Sequence, residues 1–245
     1  MKILITGHLG YIGSHLVKKI KKETNYEIIG IDILKGNDIL DCKLPDVDVV
    51  IHLAAISDVI ASVENPIETV RTNISGTIRL AEKYKNTKFI FASTGGAIQN
   101  EISSPYGLSK YCAEKFVEML FSNYVILRFA NIYGKKGSRS VVDLFLSQNK
   151  LTIYGDGLQT RTFIHIDDLL KAIVSSIKWS SKKTYLLGSH EKHTILELAK
   201  ATGKSYTFAK YRPGELQHAN VKNTTPNWKS TINIIDYINK KNHEK

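Results

Sequence analysis

A Rossmann-type α/β fold, a doubly wound parallel sheet followed by a small C-terminal α/β lobe, is predicted by two observations. Apolar strand-like runs alternate with helix-period segments through the first two thirds of the 245 residues. The first such run also passes into a helix on a series of glycines, Thr6-Gly7-His8-Leu9-Gly10-Tyr11-Ile12-Gly13. Alternation of this kind buries a parallel sheet on both faces.

The first strand, 2–6, is the run Lys2-Ile3-Leu4-Ile5 closing on Thr6, and a helix follows at 11–22. Further strands are expected at 27–31, 48–54, 87–92 and 124–128, with helices at 66–84 and 105–121. Ser104-Pro105 opens the last of these, proline being suited to a first helical turn. Only fifteen residues separate Asp32 from Asp48, so that crossover, through Gly36-Asn37-Asp38-Ile39, holds little or no helix. Beyond Gly134 come a loop at 135–140, a helix at 141–148, a strand at 151–154 and the loop Gly155-Asp156-Gly157. A helix at 167–178 and a strand at 184–187 return to the sheet. From Thr194 the tail reads as a helix, a strand near 205–209, the loop Arg212-Pro213-Gly214-Glu215 and an amphipathic helix from Thr231.

Composition fits a sizeable core: 42% of the residues are hydrophobic. The two cysteines, Cys42 and Cys112, have no metal-ligand spacing and suit a reducing compartment, and no metal site is expected. No run approaches a membrane span, and the chain reads as cytoplasmic, with no membrane partner. The net charge of +11 does not point to nucleic acid, because only six of the 34 basic residues are Arg and the Lys are scattered. Such a surface raises the local concentration of a small anionic substrate.

The glycine turn reads as a dinucleotide site. Gly7 permits the tight turn, Gly10 lets backbone approach a bound pyrophosphate, and Gly13 lets the helix pack on the sheet, while Tyr11 and Ile12 present helix N-terminal amides. Asp32, nineteen residues after Gly13, is placed to accept both adenosine ribose hydroxyls and to repel a 2′-phosphate, which favours NAD over NADP. The plain alternative is a glycine-rich turn with a capping Asp. Asp38, next to Ile39, either sits beside the adenine or belongs to a surface turn.

Tyr106 and Lys110 stand at i and i+4 and share one helix face. A nearby ammonium favours the phenolate, so Tyr106 can take a proton from a substrate hydroxyl as the carbinol carbon gives up hydride; Lys110 can also bond the nicotinamide ribose. Phe89-Ile90-Phe91-Ala92-Ser93-Thr94 is a buried strand ending in hydroxyls at the ligand-binding edge, where Thr94 can orient the reacting hydroxyl. A strand-end cap is the plain alternative for Ser93-Thr94.

With these residues, His52-Leu53-Ala54-Ala55, Asn73 with Gly76-Thr77, Arg128-Phe129-Ala130-Asn131-Ile132-Tyr133-Gly134, the stretch Ile153 to Asp168 and Arg212-Pro213-Gly214-Glu215 complete an ordered set of motifs. Almost end to end, the chain resembles the extended short-chain dehydrogenase/reductases, and within them the NAD-dependent nucleotide-sugar epimerases and dehydratases of the UDP-glucose 4-epimerase type. The resemblance implies that Ile39, Leu53, Ala54, Ala55 and Asn73 join the NAD site. It implies that Asn131 caps a helix or amide network at the sugar diphosphate, that Arg161 and Arg212 bind its phosphates, and that Glu215 holds the nucleotide ribose. A strand-edge Arg161 and an Arg212–Glu215 loop ion pair are the plain alternatives, and His52 and His165 read as packed histidines. It also implies a homodimer through the helices near 66–84 and 105–121.

The reaction expected is 4-epimerisation of a nucleotide-diphosphate sugar, with transient C4 oxidation and return of hydride. Family dehydratases carry Asp-Glu directly after the Thr, where this chain has Gly95-Gly96, so 4,6-dehydration is disfavoured, as is decarboxylation. Two departures keep a 4-dehydrogenase or 4-keto reductase as an alternative. The family's usual Tyr-Gly and long loop is replaced by Gln99 and the five residues Asn100 to Ser104, which opens the cleft, and the C-terminal lobe is compact. From another class, a non-catalytic dinucleotide-binding regulator shares this fold but tends to lose the Tyr/Lys pair. The expected organisation is an NAD-binding domain at 1–188, with 135–162 contributing to the substrate lobe, and a lobe at 189–245 that caps the cleft.

Overall fold

A computed structural model describes residues 1–97, 104–212, 217–225 and 228–244. The chain runs through β1 (Lys2–Thr6), α1 (Tyr11–Glu23), β2 (Glu27–Ile31), β3 (Val49–His52), α2 (Val59–Glu64), α3 (Pro66–Val70) and α4 (Gly76–Tyr84). Next come β4 (Lys88–Thr94), α5 (Pro105–Leu120), β5 (Tyr124–Phe129), β6 (Asn131–Tyr133), α6 (Val141–Ser147) and β7 (Leu151–Tyr154). The remainder is β8 (Thr160–His165), α7 (Ile166–Ser176), β9 (Lys183–Leu187), β10 (Lys192–Thr194), α8 (Ile195–Ala201), β11 (Tyr206–Ala209), β12 (His218–Ala219) and α9 (Ile234–His243).

The chain divides into two compact units, one of residues 1–128 and 170–185, the other of 129–169 and 186–245. The first holds the α/β sheet, in the order β2-β1-β3-β4-β5-β9. β2, β1, β3 and β4 pair in parallel, with Thr6 opposite Ile31 on one side and His52 on the other. Strand order therefore reverses at β1, and ligands of such sheets bind at the carboxyl ends beside that reversal. Leu4, Val50, Phe89 and Ile126 are fully buried in its core, where Phe89 stacks on Phe121 at 4.0 Å between ring centroids. α1 turns Gly13, Leu16 and Ile20 inward.

The helix expected at 66–84 is interrupted. α3 and α4 are joined by a π-helical turn, Arg71–Ser75, which swings Asn73 inward until it is 1% exposed. Such turns recur where a helix must aim a particular side chain. α2 was not foreseen; Asp58 caps it by accepting the amides of Ile60 and Ala61 at 2.9 and 3.1 Å. The crossover after Asp32 holds one 3-10 turn, Ile33–Lys35, in line with its shortness.

In the second unit β8 pairs with β6, β10 and β12, and β7 pairs with β11. Its core is built from Tyr133, Phe145, Phe163, Leu198 and Ile238. α8 starts on a capping box of Thr194 and Glu197. β6, β8, β10 and β12 were not foreseen: β8 is buried along nearly its whole length and shows no alternation, and the others are two or three residues long. α9 begins at Ile234 rather than Thr231, because Asn233 accepts the amides of Ile235 and Asp236.

Candidate active site

The glycine turn leaves β1 with Gly7 at φ +71, and a Cβ there would lie 2.7 Å from the Ala54 nitrogen. A Cβ on Gly13 would lie 2.2 Å from the Gly7 carbonyl oxygen. Turn, helix start and the loop after β3 are thus in backbone contact, and side chains are excluded. Gly10 is the N-cap of α1 and provides no side-chain cap, which leaves the helix N-terminus to an anion. Asp32, 7% exposed at the end of β2, accepts the amides of Leu9 at 2.9 Å and Leu34 at 3.0 Å. Its carboxylate is therefore locked against the turn.

Thr6 and His52 pin the turn to its neighbours. The Thr77 hydroxyl donates to the Asn73 carbonyl at 2.7 Å, so it accepts from His52 Nε2 at 3.0 Å; Nδ1 then accepts from the Thr6 hydroxyl at 2.7 Å, and Thr6 accepts the Ala54 amide at 3.2 Å. Every group is satisfied by one neutral tautomer. Burial and the nearby Lys110 charge hold the His52 imidazole well below its ordinary value. The unfolded chain takes up a proton near pH 6.5 that the folded chain refuses, so stability present above that pH is lost as it falls. Thermal stability is expected to drop between pH 7 and 5, with a smaller drop in His52→Asn. Equal drops in melting temperature would show that His52 carries none of this dependence.

Asn73 faces protein. Its amide exchanges two hydrogen bonds with the Ile56 backbone, at 2.9 and 3.0 Å, and donates to the Ser109 hydroxyl at 2.9 Å; Ser109 in turn donates to the Tyr106 carbonyl at 2.8 Å. Asn73 thereby ties the segment after Leu53-Ala54-Ala55 to α5. Those three residues are half-buried beside Gly7. Asp38 accepts the Leu40 amide at 2.9 Å, and Ile39 is buried against Gly76.

α5 opens on Ser104, whose hydroxyl accepts the Gly107 amide at 3.1 Å, and the Tyr106 amide donates to Ser62 of α2 at 3.2 Å. Thr94 and Tyr106 share a side-chain hydrogen bond. Lys110, 3% exposed, holds its ammonium 4.2 Å from the centroid of the Phe91 ring. Burial pushes the Tyr106 phenol up to about 12 against the pull of the Thr94 hydrogen bond, and takes Lys110 down to about 7. The phenol of the ligand-free protein is therefore protonated at neutral pH, burial outweighing the Thr94 hydrogen bond.

In the second unit, Asn131 lies in strand β6 and donates to the Thr162 carbonyl at 3.2 Å, so it caps no helix. Arg161 is not an exposed edge residue: it is 8% exposed and donates to the Thr160 and Gln217 carbonyls at 2.8 and 3.1 Å. The Arg212 guanidinium lies 3.8 Å over the Tyr154 ring. Glu215 lies outside the described residues, as do residues 98–103, which include all of the shortened loop but Ser104. His165 is packed, accepting the Asp167 amide at Nδ1 and filling the space beside Gly134. Among the described residues no three His, Cys, Asp or Glu side chains form a metal cluster, and no helix is long and apolar enough to cross a membrane.

A model of the NAD-dependent epimerase/dehydratase family matches residues 3–188. A Methanocaldococcus jannaschii protein assigned as a UDP-glucose 4-epimerase is 38% identical over 228 residues, covering 74% of each chain. A Thermotoga maritima UDP-glucose 4-epimerase solved with UDP-glucose superposes with a TM-score of 0.87 at 26% identity, over 99% of this chain and 98% of that one. A Bacillus cereus UDP-glucuronic acid 4-epimerase, solved with UDP-glucuronic acid and NAD, gives 0.86 at 29% identity with the same coverage.

Proposed function

This chain belongs to the NAD-dependent epimerase/dehydratase family, and on that premise we propose that it is a nucleotide-sugar 4-epimerase acting on a uridine diphosphate sugar. The carrying observation is the Thr94–Tyr106 hydrogen bond with Lys110 buried one helical turn on, followed by Gly95-Gly96 where a dehydratase needs a second acid/base pair.

The residues of the turn fit a dinucleotide: no Cβ has room at Gly7 or Gly13, the helix start is uncapped, and Asp32 is anchored beside it. Gly7, Gly10, Tyr11, Ile12 and Gly13 would hold the pyrophosphate and Asp32 the adenosine ribose. When bound, NAD supplies the acceptor and then the donor of the C4 hydride. Thr94 bonds the sugar's 4-hydroxyl, and Tyr106, ionised once its own proton has left to solvent, takes the hydroxyl proton as the C4–H bond breaks, leaving a 4-keto sugar and a neutral phenol. Once the keto sugar has turned over, hydride returns to its opposite face and Tyr106 gives the proton back to O4. Lys110 assists by its positive charge, which lowers the cost of the phenolate. Arg161 and Arg212 neutralise the diphosphate, with Asn131 and Glu215 completing its recognition.

The working form is a homodimer. α5 exposes Leu108, Phe116 and Met119, the last 78% exposed, and α3 exposes Ile67 at 83%, the apolar side chains that this interface would cover. Met119→Lys is expected to convert a dimer to a monomer in light scattering. A wild-type chain that already runs as a monomer would rule out this interface.

The proposed reaction is tested by mass spectrometry of any copurifying dinucleotide and by NMR of the protein with a panel of nucleotide sugars. Equilibration of C4 epimers without free NADH supports the reading. Stoichiometric NADH release would make the protein a 4-dehydrogenase, and silence with every sugar a dinucleotide-binding regulator.

A further inference from the structure

Glu114 follows Lys110 by four residues on α5, so Tyr106, Lys110 and Glu114 share one helix face. Glu114 is fully buried. It accepts the Ser93 hydroxyl from β4, and it accepts Arg128 of β5 at both oxygens: Nε at 2.9 and 3.2 Å, Nη2 at 2.5 Å. A carboxylate buried with an arginine gains little stability over apolar residues of the same volume, so stability alone does not account for it. Its surroundings suggest another role. Ser93 directly precedes Thr94, Lys110 lies one turn from Glu114, and Lys110 itself stands over Phe91 of the same strand as Ser93.

We infer that Glu114 is a positioning residue, the buried counter-charge that keeps Lys110 an ammonium, and that Ser93 and Arg128 hold it in place. The inference deepens the reaction proposed above and rests on that reading for its catalytic meaning. The charged and titratable groups around Lys110 set the sign. On α5 these are Tyr106, neutral at rest, and Glu114; on β3 it is His52, held neutral; on β5 it is Arg128, paired with Glu114; β4 presents the uncharged Phe91. Burial depresses Lys110 and Glu114 opposes that depression. With Glu114 neutral, Lys110 loses its counter-charge and also meets an unpaired Arg128, so both changes favour the free amine.

The test is a pH titration of the NAD-free protein carrying 13C-labelled lysines, with the Lys110 signal assigned by its loss in Lys110→Met. The Lys110 midpoint is expected to fall by about one pH unit in Glu114→Gln, the size of shift that one nearby charge produces. Arg128→Gln, which leaves Glu114 unopposed, is expected to raise it. In active protein, Glu114→Gln should also move the alkaline limb of the rate profile to lower pH with KM nearly unchanged. A Lys110 midpoint that stays in place in a folded Glu114→Gln overturns the inference, and if that variant does not fold, an unmoved or lowered midpoint in Arg128→Gln does the same. The titration needs neither NAD nor sugar, so an inactive wild type would defeat the proposed reaction and leave this measurement decisive.

Discussion

Tyr106→Phe is expected to lower kcat by about 10²–10⁴-fold, the usual contribution of a positioned acid/base group, while NAD affinity stays within about twofold of wild type. The two effects separate because in the proposed reaction the phenol hydroxyl meets the reacting proton, whereas the ring and backbone of Tyr106 support α5. Phe retains the ring, and the Tyr106 amide still reaches Ser62 at 3.2 Å. The shared hydrogen bond with Thr94 is lost, so Thr94→Ala should reproduce part of the loss. Steady-state rates together with NAD binding by fluorescence check the point. An unchanged rate in Tyr106→Phe would remove it as the base.

Gly13→Ala is expected to fail earlier, at cofactor binding. The new Cβ would stand 2.2 Å from the Gly7 carbonyl oxygen and 2.7 Å from His8 Cα, both backbone atoms that cannot rotate away. Forcing the helix start off the turn costs about 1–3 kcal/mol, or about 2–12 °C in Tm for a chain of this size. The amides proposed to hold the pyrophosphate move with it, so NAD affinity is expected to fall at least about tenfold. Gly203→Ala is the control: its positive φ of +69 costs about 1 kcal/mol, but a Cβ there meets nothing within 4 Å and cofactor affinity should hold. Equal NAD affinity in wild type and Gly13→Ala would show that the pyrophosphate does not sit on this turn.

Both predictions concern residues legible in the chain itself. The glycine turn, Asp32 and the Tyr106/Lys110 pair could be read because their geometry is local: a turn, a strand end and one helical turn. The first unit's strands alternate with helices of ordinary length, and their expected positions differ from the observed ones by a residue or two. What escaped depends on tertiary partners. Nothing in residues 66–84 announces a π-helical turn, because the extra residue is accommodated for Asn73, whose partners Ile56 and Ser109 lie far along the chain. β6, β10 and β12 are short and exist through their pairing with β8. The depth at which Tyr106 is buried is likewise tertiary, since spacing reveals the neighbouring Lys110 but not the desolvation that raises the phenol. Glu114 was within reach of the sequence, as the third residue of an i, i+4, i+8 face, but its value shows only with Arg128 and Ser93 around it.

The most direct test of the central claim is to incubate the protein with UDP-glucose deuterated at C4 and follow the sugar by NMR and mass spectrometry. A retained hydride carrier gives the C4 epimer with deuterium still at C4 and no free NADH. Loss of deuterium to a released reduced cofactor, or a sugar that never epimerises across the uridine diphosphate panel, would contradict it.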